Sequence, residues 1–183
     1  MSTNAKKNAN SSHSDKEFKF NKENLKEAND ALNKYPKDRK SSAVMPLLHI
    51  AQKQCGGFIP LSAMDYIANF LDMQPIHVYE VAKFYSMYNL SITGKYLIQV
   101  CRTTPCWLCC SDDILKSCKE LLNIDIGETT SDNLFTLKEV ECLGACVNAP
   151  VVQINDDYYE NLTADKIKEI LIGYKKKENI ITE

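Results

Sequence analysis

Two close cysteine pairs, Cys101 with Cys106 and Cys142 with Cys146, are separated by thirty-five residues of helix-and-strand pattern, and this spacing limits the chain to folds in which two loops can meet. The pairs lie in Val100-Cys101-Arg102-Thr103-Thr104-Pro105-Cys106 and Glu141-Cys142-Leu143-Gly144-Ala145-Cys146. Four thiolates at one point are soft ligands suited to an iron-sulfur cluster or a zinc ion. Everything else then reads as scaffold, partner surface or tail.

With 183 residues, 44% of them hydrophobic, the chain can bury a real core in one domain or two small ones. Twenty-two Lys and Arg against twenty-four Asp and Glu leave a net charge of -2, so no basic field points to nucleic acid, and a protein partner is expected. No apolar run is long enough for a membrane span, and residues 1 to 20 lack the apolar core of a secretory signal. Eight cysteines in a reducing compartment point to metal or redox chemistry ahead of a disulfide framework. Met1 to Asn10 has no Arg and is soon followed by Asp15 and Glu17, which suits a polar extension better than a mitochondrial transit peptide.

Residues 1–20 read as a disordered tail. A helical pattern starts at Asn21, with Leu25, Ala28 and Leu32 on one face and a stop at Tyr35-Pro36. A second helix, capped by Ser41-Ser42, carries Val44, Leu47, Leu48 and Ala51 until Cys55-Gly56-Gly57. Ser62 and Asp65 resemble a capping box for a third, with Met64, Ile67, Ala68 and Leu71, and Pro75 opens a fourth, with Val78, Val81, Ala82 and Tyr85. The aromatic run Phe84, Tyr85 and Tyr88 is expected in the core where this bundle, residues 21–92, meets the next domain; a partner-facing patch is the other reading.

From residue 93 to 175 the grammar is α+β. Strands are predicted at Tyr96 to Val100, Leu134 to Val140 and Val151 to Ile154, with a hairpin at Asn155-Asp156 leading to a fourth strand at Tyr158-Tyr159. A helix capped at Ser111 buries Ile114, Leu115, Cys118, Leu121 and Leu122, and Thr163 caps a last helix with Ile167, Ile170, Leu171 and Tyr174. One four-stranded sheet with helices packed on it is the economical arrangement. Lys175-Lys176-Lys177 reads as a solvated helix end, and residues 176–183 as a C-terminal tail.

Several readings compete for the sulfurs. A 2Fe-2S cluster uses Cys101 and Cys106 on one iron and Cys142 and Cys146 on the other. Structural zinc also takes four cysteines, but its pairs are often only two residues apart. Cys106-Trp107-Leu108-Cys109 is a C-x-x-C suited to a redox dithiol, which leaves Cys101, Cys142 and Cys146 idle. Cys101, Cys106 and Cys109 reproduce the plant-type ferredoxin spacing, which idles Cys142 or Cys146. His13, His49 and His77 have no local cysteine pairing on which a Rieske site could be built.

The C-x4-C and C-x3-C spacing, with Thr103-Thr104-Pro105-Cys106 and Glu139-Val140-Glu141-Cys142-Leu143-Gly144-Ala145-Cys146-Val147-Asn148-Ala149-Pro150, resembles the small 2Fe-2S subunit of the NADH dehydrogenase module of respiratory complex I. The likeness extends over about residues 20 to 175 and includes Gly56-Gly57-Phe58-Ile59-Pro60, Glu80-Val81-Ala82-Lys83-Phe84-Tyr85-Ser86-Met87-Tyr88 and Gln153-Ile154-Asn155-Asp156-Asp157-Tyr158-Tyr159. It implies a helical bundle followed by a thioredoxin-like domain, with Cys101, Cys106, Cys142 and Cys146 as ligands of one 2Fe-2S cluster. It further implies one-electron exchange within an NADH:quinone oxidoreductase, where a large subunit binds FMN and NADH and further peripheral-arm subunits are neighbours. The isolated chain would then be an electron carrier without its own substrate site, in keeping with its lack of a G-x-G-x-x-G signature. The cytoplasmic side of a bacterial inner membrane is the implied location, ahead of a mitochondrial matrix. A diaphorase subunit of an NAD-linked hydrogenase or formate dehydrogenase is the alternative.

Cys109 and Cys110 depart from the family pattern and read as spectators, and Lys83 stands where a smaller polar residue is common. Backbone N–H groups of Thr103, Thr104, Gly144 and Ala145 are expected to raise the cluster's potential and Glu141 to lower it, with Arg102 either opposing that carboxylate or solvated.

Overall fold

The computed structural model describes residues 17–181. The chain divides between Ile92 and Thr93 into two compact units.

The first unit is helical. Asn21 caps α1 (Lys22–Leu32) by accepting the Asn24 N–H at 2.8 Å, satisfying one of the first-turn donors that a helix leaves open. A 3-10 helix over Lys37–Ala43 then leads directly into α2 (Val44–Gln54), so Ser41 and Ser42 lie inside that turn and do not cap. Helix α3 (Leu61–Leu71) has no side-chain cap either: the Asp65 carboxylate of the expected capping box accepts the Tyr79 hydroxyl of α4 (Pro75–Phe84) instead. Pro75 does open α4, where no helical N–H is lost.

Leu47, Leu48, Ile59, Ile67 and Val78 are fully buried between these helices. Phe18 and Phe20, expected in the tail, also belong to this core, and each stands edge-on to the Tyr66 ring at 5.5 and 5.3 Å. Two aromatics offset the entropy of ordering a segment that charge and serine content alone would leave loose. Residues 1–16 of the expected tail lie outside the described residues. The aromatic run splits: Tyr88 is buried, its hydroxyl donating to the Met45 carbonyl at 3.0 Å, whereas Phe84 is 80% exposed.

In the second unit a four-stranded mixed sheet has the order β2-β1-β3-β4. The strands β1 (Tyr96–Cys101) and β2 (Phe135–Val140) are parallel, and β3 (Val152–Ile154) is antiparallel to β1 and to β4 (Asp157–Tyr159). At the entry to β1 a Cβ on Gly94 would lie 2.9 Å from the Leu134 and Phe135 backbone, so only glycine permits this approach. The crossover from β1 to β2 contains a short α5 (Thr104–Leu108), not anticipated from sequence, followed by α6 (Ser111–Leu122). Ser111 is the first helical residue and not the cap; Cys110 holds that place in a left-handed conformation. Ile114, Leu115, Cys118 and Leu122 of α6 and Ile167 and Leu171 of α7 (Ala164–Ile181) pack with Tyr96, Ile98, Val100, Phe135 and Leu137 of the sheet. Thr163 caps α7 through the Lys166 N–H at 3.3 Å. That helix runs on into the expected C-terminal tail as far as Ile181, and there Glu178 accepts from Lys95 at 2.6 Å and from the Tyr96 hydroxyl at 2.7 Å.

Phe20→Ala should destabilise the chain by about 3 kcal/mol, the usual scale for deleting a buried aromatic side chain. Phe84→Ala should change stability by less than about 0.5 kcal/mol, as expected for an exposed site. Urea denaturation of the full chain followed by circular dichroism checks both.

Candidate metal centre

Parallel pairing aligns Cys101, the last residue of β1, with Val140, the last of β2, so both cysteine loops leave the same edge of the sheet. After β1 the chain turns at Thr103, which occupies the N-cap position of α5 without capping it. Its hydroxyl lies 3.3 Å from the Cys101 sulfur instead. Cys106, within α5, and Cys101 are buried with Val151, against which Leu143, Ala145 and Ala149 also pack. On the other loop Cys142 and Cys146 are exposed, with sulfurs 3.5 Å apart. Gly144 between them has φ +83°, a conformation that glycine adopts freely. Cys146 opens a 3-10 turn, Cys146–Asn148, and the cis Ala149–Pro150 peptide leads from it toward β3.

The four sulfurs form two linked pairs. Burial works against ionising Cys101, but bonds from the Thr103 hydroxyl and N–H, the Leu143 N–H and the Cys106 thiol outweigh it, and its pKa falls below the ordinary thiol value. Burial, then the proton shared with Cys101, push Cys106 up to about 11. The Gly144 N–H, 3.4 Å from the Cys142 sulfur, and then the Cys146 thiol hold Cys142 below the ordinary range. Its bond to Cys142 raises Cys146 in turn. Each pair therefore sets a sulfur favoured as thiolate beside one favoured as thiol, and the Thr103 hydroxyl, 3.3 Å from the Cys101 sulfur, also favours the Cys142 thiolate. Cys101, Cys106, Cys142 and Cys146 would hold a metal as thiolates, with their remaining protons released.

The donor set fits a two-metal cluster. Two thiolates on one tetrahedral metal with bonds of about 2.3 Å stand about 3.8 Å apart, close to the spacing of Cys142 and Cys146. Cys109 and Cys110 are exposed in the turn between α5 and α6, and Cys118 is buried in α6 with a thiol pushed up to about 12 by that burial.

Of the backbone donors expected from sequence, the Gly144 N–H donates to the Cys142 sulfur, and the Thr103 N–H favours the Cys101 thiolate. The N–H groups of Leu143, which favours the Cys101 thiolate, and of Val151, which favours that of Cys106, were not anticipated, because loop curvature decides which N–H groups lie near sulfur. Arg102 does not face Glu141 as one reading expected. It bridges Glu139 of β2 and Asp112 of α6, the latter at 2.5 Å, and Asp112 also accepts the Trp107 indole N–H at 3.1 Å. This network ties the residue after Cys101 to three elements of the domain. His49 and His77 lie in the helical unit, and His13 lies outside the described residues.

A thioredoxin-like sheet with two cysteine loops at one edge defines the class: the chain belongs to the thioredoxin-like [2Fe-2S] ferredoxin family, whose model matches residues 28–175. It is 58% identical to the NADH-quinone oxidoreductase E subunit of Rickettsia felis over 157 residues, 86% of this chain and 94% of that protein. It is also 51% identical over 161 residues to the mitochondrial NADH dehydrogenase [ubiquinone] flavoprotein 2 of Dictyostelium discoideum, 88% of this chain and 65% of that protein. Its fold is similar to that of a chain of an NAD+-reducing [NiFe]-hydrogenase in the air-oxidised state, with a TM-score of 0.64 and 17% identity over 73% of this chain and 23% of that one. At that identity the likeness is one of fold alone.

Thr103→Val should raise the thiol pKa values of Cys101 and Cys142, since the lost hydroxyl favours their thiolates. The alkylation rates of the metal-free protein should then rise at higher pH than in wild type. Unchanged pH profiles would contradict the role given to this hydroxyl.

Proposed function

We propose that the chain is the electron-carrying small subunit of an NADH:quinone oxidoreductase and holds one 2Fe-2S cluster, with Cys101 and Cys106 on one iron and Cys142 and Cys146 on the other. The observation that carries this is that both cysteine loops start at one edge of the sheet, in a chain closely related to known components of NADH-quinone oxidoreductases. When bound, the cluster supplies a site that takes and gives back single electrons.

The chain's own residues set the terms of that exchange. Cys101 and Cys106 are buried, while Cys142 and Cys146 are exposed and open to a partner. Trp107, Leu108 and the 98% exposed Val147 belong to the same loops and offer apolar contact to that partner. Donors from Thr103, Leu143, Gly144 and Val151 favour added negative charge at sulfur. FMN and NADH belong on the large partner subunit, and this chain works against it in the peripheral arm of the complex. Among the described residues no helix is long and apolar enough to cross a membrane. The place proposed is the cytoplasmic side of a bacterial inner membrane, in keeping with the Rickettsia relatives. A diaphorase subunit of an NAD-linked hydrogenase or formate dehydrogenase is the second reading, and the partners that copurify decide between the two.

Protein purified anaerobically should show charge-transfer absorbance and, after dithionite, the EPR signal of a reduced 2Fe-2S cluster. Stoichiometric zinc with neither signal would sink the proposal. Cys142→Ser should abolish the wild-type spectrum while Cys109→Ser leaves it almost unchanged; the reverse would favour the plant-type ligand set.

A further inference from the structure

We propose that Tyr158 is a positioning residue that tunes the cluster's electron affinity through the Leu143–Gly144 peptide, an inference that rests on the cluster reading above. The Tyr158 hydroxyl, carried on β4, donates to the Leu143 carbonyl at 3.2 Å. That carbonyl belongs to the same peptide unit as the Gly144 N–H, which donates to the Cys142 sulfur at 3.4 Å. The amide therefore accepts at one end and donates to sulfur at the other.

A hydrogen bond to a carbonyl polarises its amide and strengthens the N–H as a donor. Donors to a cluster sulfur raise the potential, because reduction adds negative charge there. The Leu143 carbonyl and the Gly144 N–H both belong to the Cys142-Leu143-Gly144 turn, which presents the Gly144 N–H to the exposed cysteine pair. Gly144 at φ +83° gives the turn this shape, and a Cβ there would meet nothing within 4 Å, so backbone conformation and not space calls for glycine. Tyr158 holds the outer side of the turn. At 47% exposure it adds little to the core, which leaves its hydroxyl as the part of the side chain with a specific contact.

Its neighbour provides a control within the same strand. Tyr159 points to the other face of the sheet, where its hydroxyl is 2.7 Å from that of Tyr174 on α7, away from the turn.

The test is an anaerobic redox titration of the full-length, cluster-loaded chain, read by EPR, on wild type, Tyr158→Phe and Tyr159→Phe. Tyr158→Phe should keep its cluster and bind the electron about two- to threefold more weakly, a potential lower by about 20–30 mV at 59 mV per tenfold for a one-electron couple. Its hyperfine coupling to an exchangeable amide proton should weaken as well, and Tyr159→Phe should match wild type in both. An intact Tyr158→Phe cluster at the wild-type potential would overturn the relay, as would equal shifts in the two variants. Loss of the cluster from Tyr158→Phe alone would also overturn it, by showing that Tyr158 serves to fold the loop. A wild-type chain without any 2Fe-2S signal would instead bring down the cluster reading, and the relay with it.

Discussion

The parallel pairing of β1 with β2 decides where the sulfurs can be. Because Cys101 is aligned with Val140, the two cysteine loops begin side by side at one edge of the sheet. Had the same strands paired antiparallel, the loops would have started at opposite ends of a six-residue ladder, about 20 Å apart at ~3.3 Å per residue, too far for one cluster. A parallel pair needs a long crossover, and α5 and α6 supply it. The apolar stripe of α6 then anchors that crossover on the sheet, so the packing that stabilises the domain also holds the first cysteine loop in place.

Around that edge the environment is graded. Cys101 and Cys106 are buried with Val151, whereas Cys142 and Cys146 face outward. A buried pair excludes water from one side of the site, and an exposed pair leaves the other open for close approach. Arg102, the residue after β1, joins β2 and α6 through Glu139 and Asp112, with the Trp107 indole donating to the Asp112 carboxylate. Its charge is used inside the domain, which is why it is not turned toward Glu141.

Much of the architecture was legible because it rests on short-range pattern. The helical periodicity before residue 92, the strand-forming runs, the Asn155 turn, Pro75 at the start of α4 and Thr163 at the start of α7 each have a local physical cause. The errors fall where distant partners compete for a local group. Asp65 was available to cap α3 but is taken by Tyr79. Phe18 and Phe20 looked like part of a tail because Tyr66 and Phe70, which receive them, are more than forty residues away in sequence. Phe84 and Tyr88, four residues apart, went to opposite environments because only Tyr88 is placed to reach the Met45 carbonyl.

The sequence by itself determined the inventory: two cysteine pairs with the spacing of a known family, a helical first half, and an α+β second half whose strands deliver those pairs to loops. Residue type and spacing carry that information because ligand chemistry and hydrophobic periodicity are local properties. Only the tertiary structure decided that the Gly144 N–H turns toward the Cys142 sulfur, that the Thr103 hydroxyl is held by Cys101, and that Tyr158 lies behind the Leu143–Gly144 peptide. Those contacts depend on the direction of individual peptide planes and on strands brought together from different parts of the chain, which periodicity does not encode.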